Sequence, residues 1–250
     1  MIRTAIKAAK AAGKILVENY CKIESVSVKQ DKSLVTEVDS ACEKKIREII
    51  LAKHPDHSIV GEEEGDDHKD SDYKWIIDPL DGTHNYFFKS PIFGVSIGLA
   101  YKNEPIAGVI YLPILKELYS AERGKGCFLN GKKMLIKDKP LKESLVSFSS
   151  WYFRSNSGDA QAEALKFFSK CFEIRVNGCA VFNLAGVLKN TFGVMLSKSN
   201  KDWDVAAGVI MIKEAGGVVT DYSGIPWKLG NPNIIAGNKT CHKDALELMG

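Results

Sequence analysis

The chain has 250 residues, of which 45% are hydrophobic and 26% charged, as in an ordinary globular domain. Its 34 Lys and Arg stand against 31 Asp and Glu, a net charge of +3, and no Lys/Arg block gives the basic face of a nucleic-acid binder. Nucleic acid is therefore not an expected partner, and Lys44-Lys45 and Lys132-Lys133 read as solvated pairs. None of the six cysteines, at 21, 42, 127, 171, 179 and 241, forms a Cys-x-x-Cys pair, which argues against a zinc or redox motif. They read as reduced thiols of a cytoplasmic protein. No apolar run approaches the ~18 residues of a membrane span. The N-terminus lacks the apolar core of a signal peptide, although a basic amphipathic start also fits an organelle-targeting peptide.

Ile2, Ile6, Ala9, Gly13 and Leu16 step by four, three, four and three, which predicts an amphipathic helix over about 2 to 20. Val26 and Val28 alternate with polar residues as in a short strand. Thr36-Glu37-Val38-Asp39 leads into a helix over about 39 to 53, with Ile46, Ile49 and Ile50 on one face and Pro55 beyond its end. Ser58 to Val60 is a short strand. The acidic stretch from 61 to 73 reads as a mobile loop.

Strand signals dominate from Lys74 to Met134. Trp75-Ile76-Ile77 is an apolar strand that should stop at Asp78-Pro79. Phe93 to Tyr101 and Ile106 to Tyr111 flank a turn at Asn103-Glu104-Pro105. Tyr119–Glu122 and Cys127–Leu129 read as strands around glycines, and Asn130-Gly131 is a further hairpin signal. Later segments alternate. Leu145–Phe148, Glu173–Val176, Phe192–Leu196, Val218-Val219 and Ile234-Ile235 read as strands. Ala160–Phe168, Ala180–Leu188, Val205–Ala215 and a stretch near 240 read as helices. This order predicts an α+β fold with layered sheets and helices, a single domain with an N-terminal lobe to about 140 and a C-terminal lobe from about 141.

Three acidic elements stand apart. They are Gly61-Glu62-Glu63, Asp78-Pro79-Leu80-Asp81-Gly82-Thr83 and Trp203-Asp204. Pro79 fixes its own φ and turns the chain, so Asp78 and Asp81 can face one side, close enough to share a cation. Hard oxygen donors of this kind suit Mg²⁺. Asp, Pro and Gly are also plain turn residues, and Asp204 is equally an acid at a helix N-terminus. The functional reading rests on the combination.

In combination the sequence resembles the inositol monophosphatase family. The carrying residues are Trp75-Ile76-Ile77-Asp78-Pro79-Leu80-Asp81-Gly82-Thr83-His84-Asn85-Tyr86, and Trp203-Asp204-Val205-Ala206-Ala207-Gly208 followed by Glu214-Ala215-Gly216-Gly217. Supporting pieces appear in order: Lys29 through Val35-Thr36-Glu37-Val38-Asp39, Gly61-Glu62-Glu63, and Gly178-Cys179-Ala180. The resemblance implies a layered α/β/α/β/α sandwich of the inositol monophosphatase and fructose-1,6-bisphosphatase type, a homodimer, and a site for two or three Mg²⁺ ions sensitive to lithium. It implies that Glu62, Asp78 and the Leu80 carbonyl hold one ion and that Asp78, Asp81 and Asp204 hold a second. It also implies that Asp39 orients Thr83, that Glu63 helps orient water, and that Gly82, Thr83, His84, Cys179, Ala180 and Ser197 lie near substrate. The implied activity is hydrolysis of a small phosphate monoester, inositol 1-phosphate foremost. Fructose 1,6-bisphosphate, a 3′-phosphoadenosine nucleotide or histidinol phosphate are alternatives, as is a binding role with RNA or the transcription machinery. Two features depart from the family pattern. Ser197 stands where the animal enzymes have a glutamate, and His84 replaces a frequent second threonine.

Overall fold

The computed structural model describes residues 1–22, 27–28, 34–149 and 158–250, with backbone alone at 27–28, 34–35 and 158–160. Val26 and Lys29 lie outside the described residues.

Helix α1 (Ile2–Asn19) and helix α2 (Glu37–Leu51) form the first layer. The buried face of α1 is small, with Ala5, Ala8, Ala9, Ala12, Gly13 and Leu16, so α2 packs closely against it. α2 begins two residues before its predicted start. Thr36 caps it, accepting from the Val38 N–H at 3.2 Å, while Asp39 Oδ2 accepts from the Thr36 N–H at 2.8 Å. This reciprocal cap puts Asp39 inside the first turn.

The next ten elements of sheet are β1 (Ser27–Val28), β2 (Leu34–Val35), β3 (Ser58–Gly61), β4 (Gly65–Asp66), β5 (Tyr73–Asp81), β6 (Gly94–Tyr101), β7 (Glu104–Leu112), β8 (Glu117–Glu122), β9 (Gly126–Leu129) and β10 (Lys132–Met134). β1 and β2 pair with each other, and the other eight form one sheet in the order β10-β9-β8-β7-β6-β5-β3-β4. Three expectations change here. β5 does not stop at Asp78-Pro79 but continues to Asp81 through a bulge that shifts its register against β6. A bulge is where a strand tolerates proline, since no ladder N–H is required there. The β6–β7 turn is Lys102-Asn103, both with positive φ (49° and 63°), and Glu104-Pro105 already belong to β7. The acidic stretch after residue 61 is not merely a loop, because β4 folds back on β3.

The second sheet takes its strands from 145 onward: β11 (Leu145–Phe148), β12 (Glu173–Val176), β13 (Phe192–Ser197), β14 (Val218–Thr220) and β15 (Ile234–Gly237), ordered β12-β11-β13-β15-β14. Among the described residues, the helices that accompany it are α4 (Gly158–Leu165), α5 (Ala180–Leu188), α6 (Asp202–Glu214) and α7 (Lys239–Met249), after the short α3 (Thr83–Phe87). α5 and α6 lie between the two sheets, with Val181, Leu184, Ala206, Ala207 and Met211 in one buried cluster with Ile110, Tyr119, Met195 and Ile234. α7 and the α4 region cover the far face of the second sheet, where Phe148 and Phe167 meet edge-to-face. The result is an α/β/α/β/α sandwich. α6 lies so close to the first sheet that a Cβ on Gly108 would come within 2.5 Å of the Ala207 carbonyl.

Candidate active site

The site lies where β5 leaves its sheet and the N-termini of α5 and α6 come up from the middle layer. β3 runs parallel to β5, and its ladder continues with the Glu62 N–H on the Ile77 carbonyl at 3.2 Å. That bond brings the Glu62 backbone alongside the end of β5. Asp78, only 1% exposed, accepts the Leu80 N–H on Oδ1 at 2.9 Å. Asp81 follows the bulge and points at the start of α5, where the Val181 N–H meets its Oδ2 at 2.6 Å and the Cys179 thiol lies 3.3 Å away. Asp204 sits in the first turn of α6 and accepts the Lys201 N–H at 2.7 Å. Ser96 stands across from Asp78 on β6, and its hydroxyl donates to the Trp203 carbonyl at 2.8 Å. This bond ties the start of α6 to the sheet beside Asp78.

One oxygen of each aspartate is thus held by a backbone N–H, which aims the carboxylate and leaves its other oxygen to be used elsewhere. Their charges crowd one another. Burial pushes the Asp78 carboxyl well above the usual range, and the charges of Glu62, Asp81 and Asp204 push it further. Asp204 is raised well above the usual range by burial and then by Asp81. Asp81 is pushed up to about 6 by burial, against the opposing pull of Val181 and Cys179. Asp81 and Asp204 keep some exposed surface.

These groups fit Mg²⁺ by donor chemistry: carboxylate and carbonyl oxygens with no nitrogen ligand. Among the described residues, no three acidic, His or Cys side chains already form a closed cage around one point. Mg²⁺ does not require one, since it keeps waters and commonly takes one or two carboxylates together with substrate oxygens.

The other expected residues fall around this centre. Thr83 Oγ1 lies 3.1 Å from the Leu80 carbonyl and 3.3 Å from Asp39 Oδ1. Burial raises the Asp39 carboxyl, partly offset by Thr36, and Glu62 adds to the rise. Gly82 has φ 89°, and a Cβ there would come 2.9 Å from the Ile92 carbonyl and 3.2 Å from Cys179, so the turn into α3 requires glycine. His84 is half-buried in α3. Cys179, Ala180 and Ser197 line a cavity of about 170 Å³ against Asp81 and Asp204, a cavity that Gly82, Thr83 and His84 do not line. Ser197 donates its proton to Asn200 Oδ1 at 2.6 Å. Burial and Asp81 together push the Cys179 thiol well up, so it stays protonated.

Sequence reasoning missed five residues: Ser96, Ser149, Asn183, Glu43 and Arg47. Ser149 Oγ and Asn183 Nδ2 line the same cavity and are buried without a hydrogen-bond partner among the described residues. Asn183 carried a signal, because a polar amide interrupts the apolar run from Ala180 to Leu188. Ser96 carried none.

Comparison with known proteins places the chain in a family. The family model described as the inositol monophosphatase family matches residues 1–249. A fructose-1,6-bisphosphatase/inositol-1-monophosphatase of Aquifex aeolicus is 41% identical, over 96% of this chain and 92% of its own. A Nus factor SuhB of Pseudomonas aeruginosa is 34% identical, over 98% of this chain and 94% of its own. The crystal structure of an extragenic suppressor protein SuhB from Bartonella henselae superposes with a TM-score of 0.93 at 31% identity, covering 99% of this chain and 97% of that one. The chain belongs to the inositol monophosphatase family, a family of phosphatases.

Proposed function

We propose that this protein hydrolyses a small phosphate monoester, inositol 1-phosphate foremost, with Mg²⁺. The observation that carries the reading is the gathering of Glu62, Asp78, Asp81 and Asp204, whose charges push against one another. Such a cluster is unfavourable in the protein alone and favourable once cations occupy it. Glu62, Asp78, the Leu80 carbonyl, Asp81 and Asp204 would hold two or three ions. Bound Mg²⁺ supplies a water of lowered pKa and offsets the charge of an anionic substrate.

The chain's own groups do the positioning. Thr83, within reach of Asp39 and the Leu80 carbonyl, orients the attacking water with Glu62 and Glu63. The backbone N–H groups of Gly82 and Thr83, with His84 beside them, take phosphate oxygens. The leaving alcohol sits in the cavity of Cys179, Ala180 and Ser197, where the Asn183 amide has a donor to spare. Lys198 also lines this cavity, but it pairs with Glu163 at 2.5 Å. A cation already paired favours an uncharged polyol over a second phosphate.

The test is phosphate release from D,L-inositol 1-phosphate and fructose 1,6-bisphosphate, side by side, with Mg²⁺ and with EDTA. Mg²⁺-dependent release favouring the inositol ester is expected. Preference for the bisphosphate overturns the substrate assignment, and release unaffected by EDTA overturns the metal assignment. A binding role in transcription is a second reading, favoured by the relatives named Nus factor. Undiminished RNA or polymerase binding by an Asp78→Asn protein without phosphatase activity would establish it.

A further inference from the structure

Glu43 and Arg47 stand one helical turn apart on α2, on its buried face, and no step of the proposed reaction uses them. Glu43 is 0% exposed. Its Oε1 accepts from Arg47 Nε at 2.9 Å and from the Glu64 N–H at 3.0 Å, and its Oε2 accepts from the Glu63 N–H at 2.8 Å. Arg47 continues to the Gly65 carbonyl at 2.5 Å and to the Glu64 carboxylate at 3.2 Å. One buried ion pair therefore holds the backbone of the acidic loop at three successive residues.

Gly61 belongs to the same device. A Cβ there would lie 2.2 Å from Glu43 Oε1, so only glycine lets the carboxylate reach the loop. The loop needs such an anchor. Glu62, Glu63 and Glu64 are consecutive, and Glu62 faces Asp78, Asp81 and Asp204. Like charges gathered on one centre repel each other and disfavour a free loop staying there.

We propose that the Glu43–Arg47 pair is a positioning unit for cation binding: it fixes Glu62 beside Asp78, so that ordering the loop is not charged against metal affinity. The inference rests on the metal site proposed above. Glu43 and Arg47 touch neither metal nor substrate, and they act through the Glu63 and Glu64 backbone.

The experiment is calorimetric titration of MgCl₂ into wild type, Asp78→Asn, Gly61→Ala, and the double variant Glu43→Gln with Arg47→Met. The double variant removes both charges of the pair and leaves neither unpaired. Thermal unfolding in EDTA is followed in parallel. We expect the double variant to unfold cooperatively and to bind Mg²⁺ roughly 10–100-fold more weakly, the usual cost of losing a partner behind a ligand. Its kcat should recover at high Mg²⁺, and Gly61→Ala should weaken binding in the same direction. Should the double variant fail to fold, Gly61→Ala decides the question, because it keeps both charges and only displaces Glu43. Mg²⁺ affinities within twofold of wild type in the folded variants overturn the positioning role while leaving the site intact. No Mg²⁺ binding by wild type overturns the site and this inference together.

Discussion

Glu43 and Asp78 are both buried carboxylates, and the protein treats them in opposite ways. Glu43 has an arginine and two backbone N–H groups. Asp78 has one N–H and is surrounded by the charges of Glu62, Asp81 and Asp204. A fold that pairs a buried acid with an arginine at one place gathers like charges at the other. The like-charged cluster marks the point where a countercharge from outside is favoured, and the paired acid marks the framework that holds it.

Neutralising each acid in turn breaks this comparison most sharply. Asp78→Asn keeps an acceptor for the Leu80 N–H and removes a metal oxygen. Turnover should fall by at least about 10³-fold, the ~4 kcal/mol expected from losing cation stabilisation. In EDTA above neutral pH the same variant should melt at a higher temperature than wild type, because a carboxylate that the folded state disfavours is gone. Glu43→Gln should melt lower, since one accepting oxygen and the charge facing Arg47 are lost. Near-normal Mg²⁺-dependent activity of Asp78→Asn would remove the basis of the site.

Changing pH and metal together sharpens the comparison further. Asp81 titrates at about 6 in the fold, above the ~3.9 of an unfolded aspartate. Between those values the folded chain holds a proton that the unfolded chain has lost, so stability falls as pH rises through the window. The contribution is fully present below about pH 4 and gone above about pH 6. Asp78 and Asp204 are shifted in the same direction. Saturating Mg²⁺ favours the ionised forms and should flatten the slope, adding about 2.7 kcal/mol at a hundredfold excess over Kd. Melting temperatures in EDTA and in Mg²⁺ across this window test both statements. Equal slopes in the two media would mean that these carboxylates are not the cation's ligands.

The two regions were not equally legible in the sequence. Asp78, Asp81 and Asp204 could be read because the residues around them, Pro79, Gly82 and Trp203, are unusual and closely spaced. The order of strand and helix signals along the chain pointed to the layered α+β fold. The course of the backbone at Pro79 was not legible. A proline after an apolar strand looks like an end, and only pairing with β6 makes it a bulge. Glu43 and Arg47 were hidden for a different reason. Glu and Arg four apart on a helix ordinarily form a solvated pair. A signal existed nonetheless, since Cys42, Glu43, Ile46, Arg47 and Ile50 fall on one stripe, and charges inside an apolar stripe require partners. Ser96 could not have been found, because its role depends on a sheet partner and a helix more than a hundred residues away.

Ser96 gives the smallest expected effect. Its hydroxyl donates to the Trp203 carbonyl at 2.8 Å and so sets the distance between α6 and β6 near Asp78 and Asp204. Ser96→Ala removes one neutral hydrogen bond from a buried position, worth about 1 kcal/mol of stability. The Ala206 and Ala207 contacts that pack α6 onto the sheet remain. Packing should therefore hold the helix nearly in place, and Mg²⁺ affinity should fall by less than about tenfold, the corresponding energy. Calorimetry with Mg²⁺ and a melting curve in EDTA measure the two quantities separately. A loss of affinity as large as that of Asp78→Asn would mean that this single bond, and not the close packing of α6, brings Asp204 to the site.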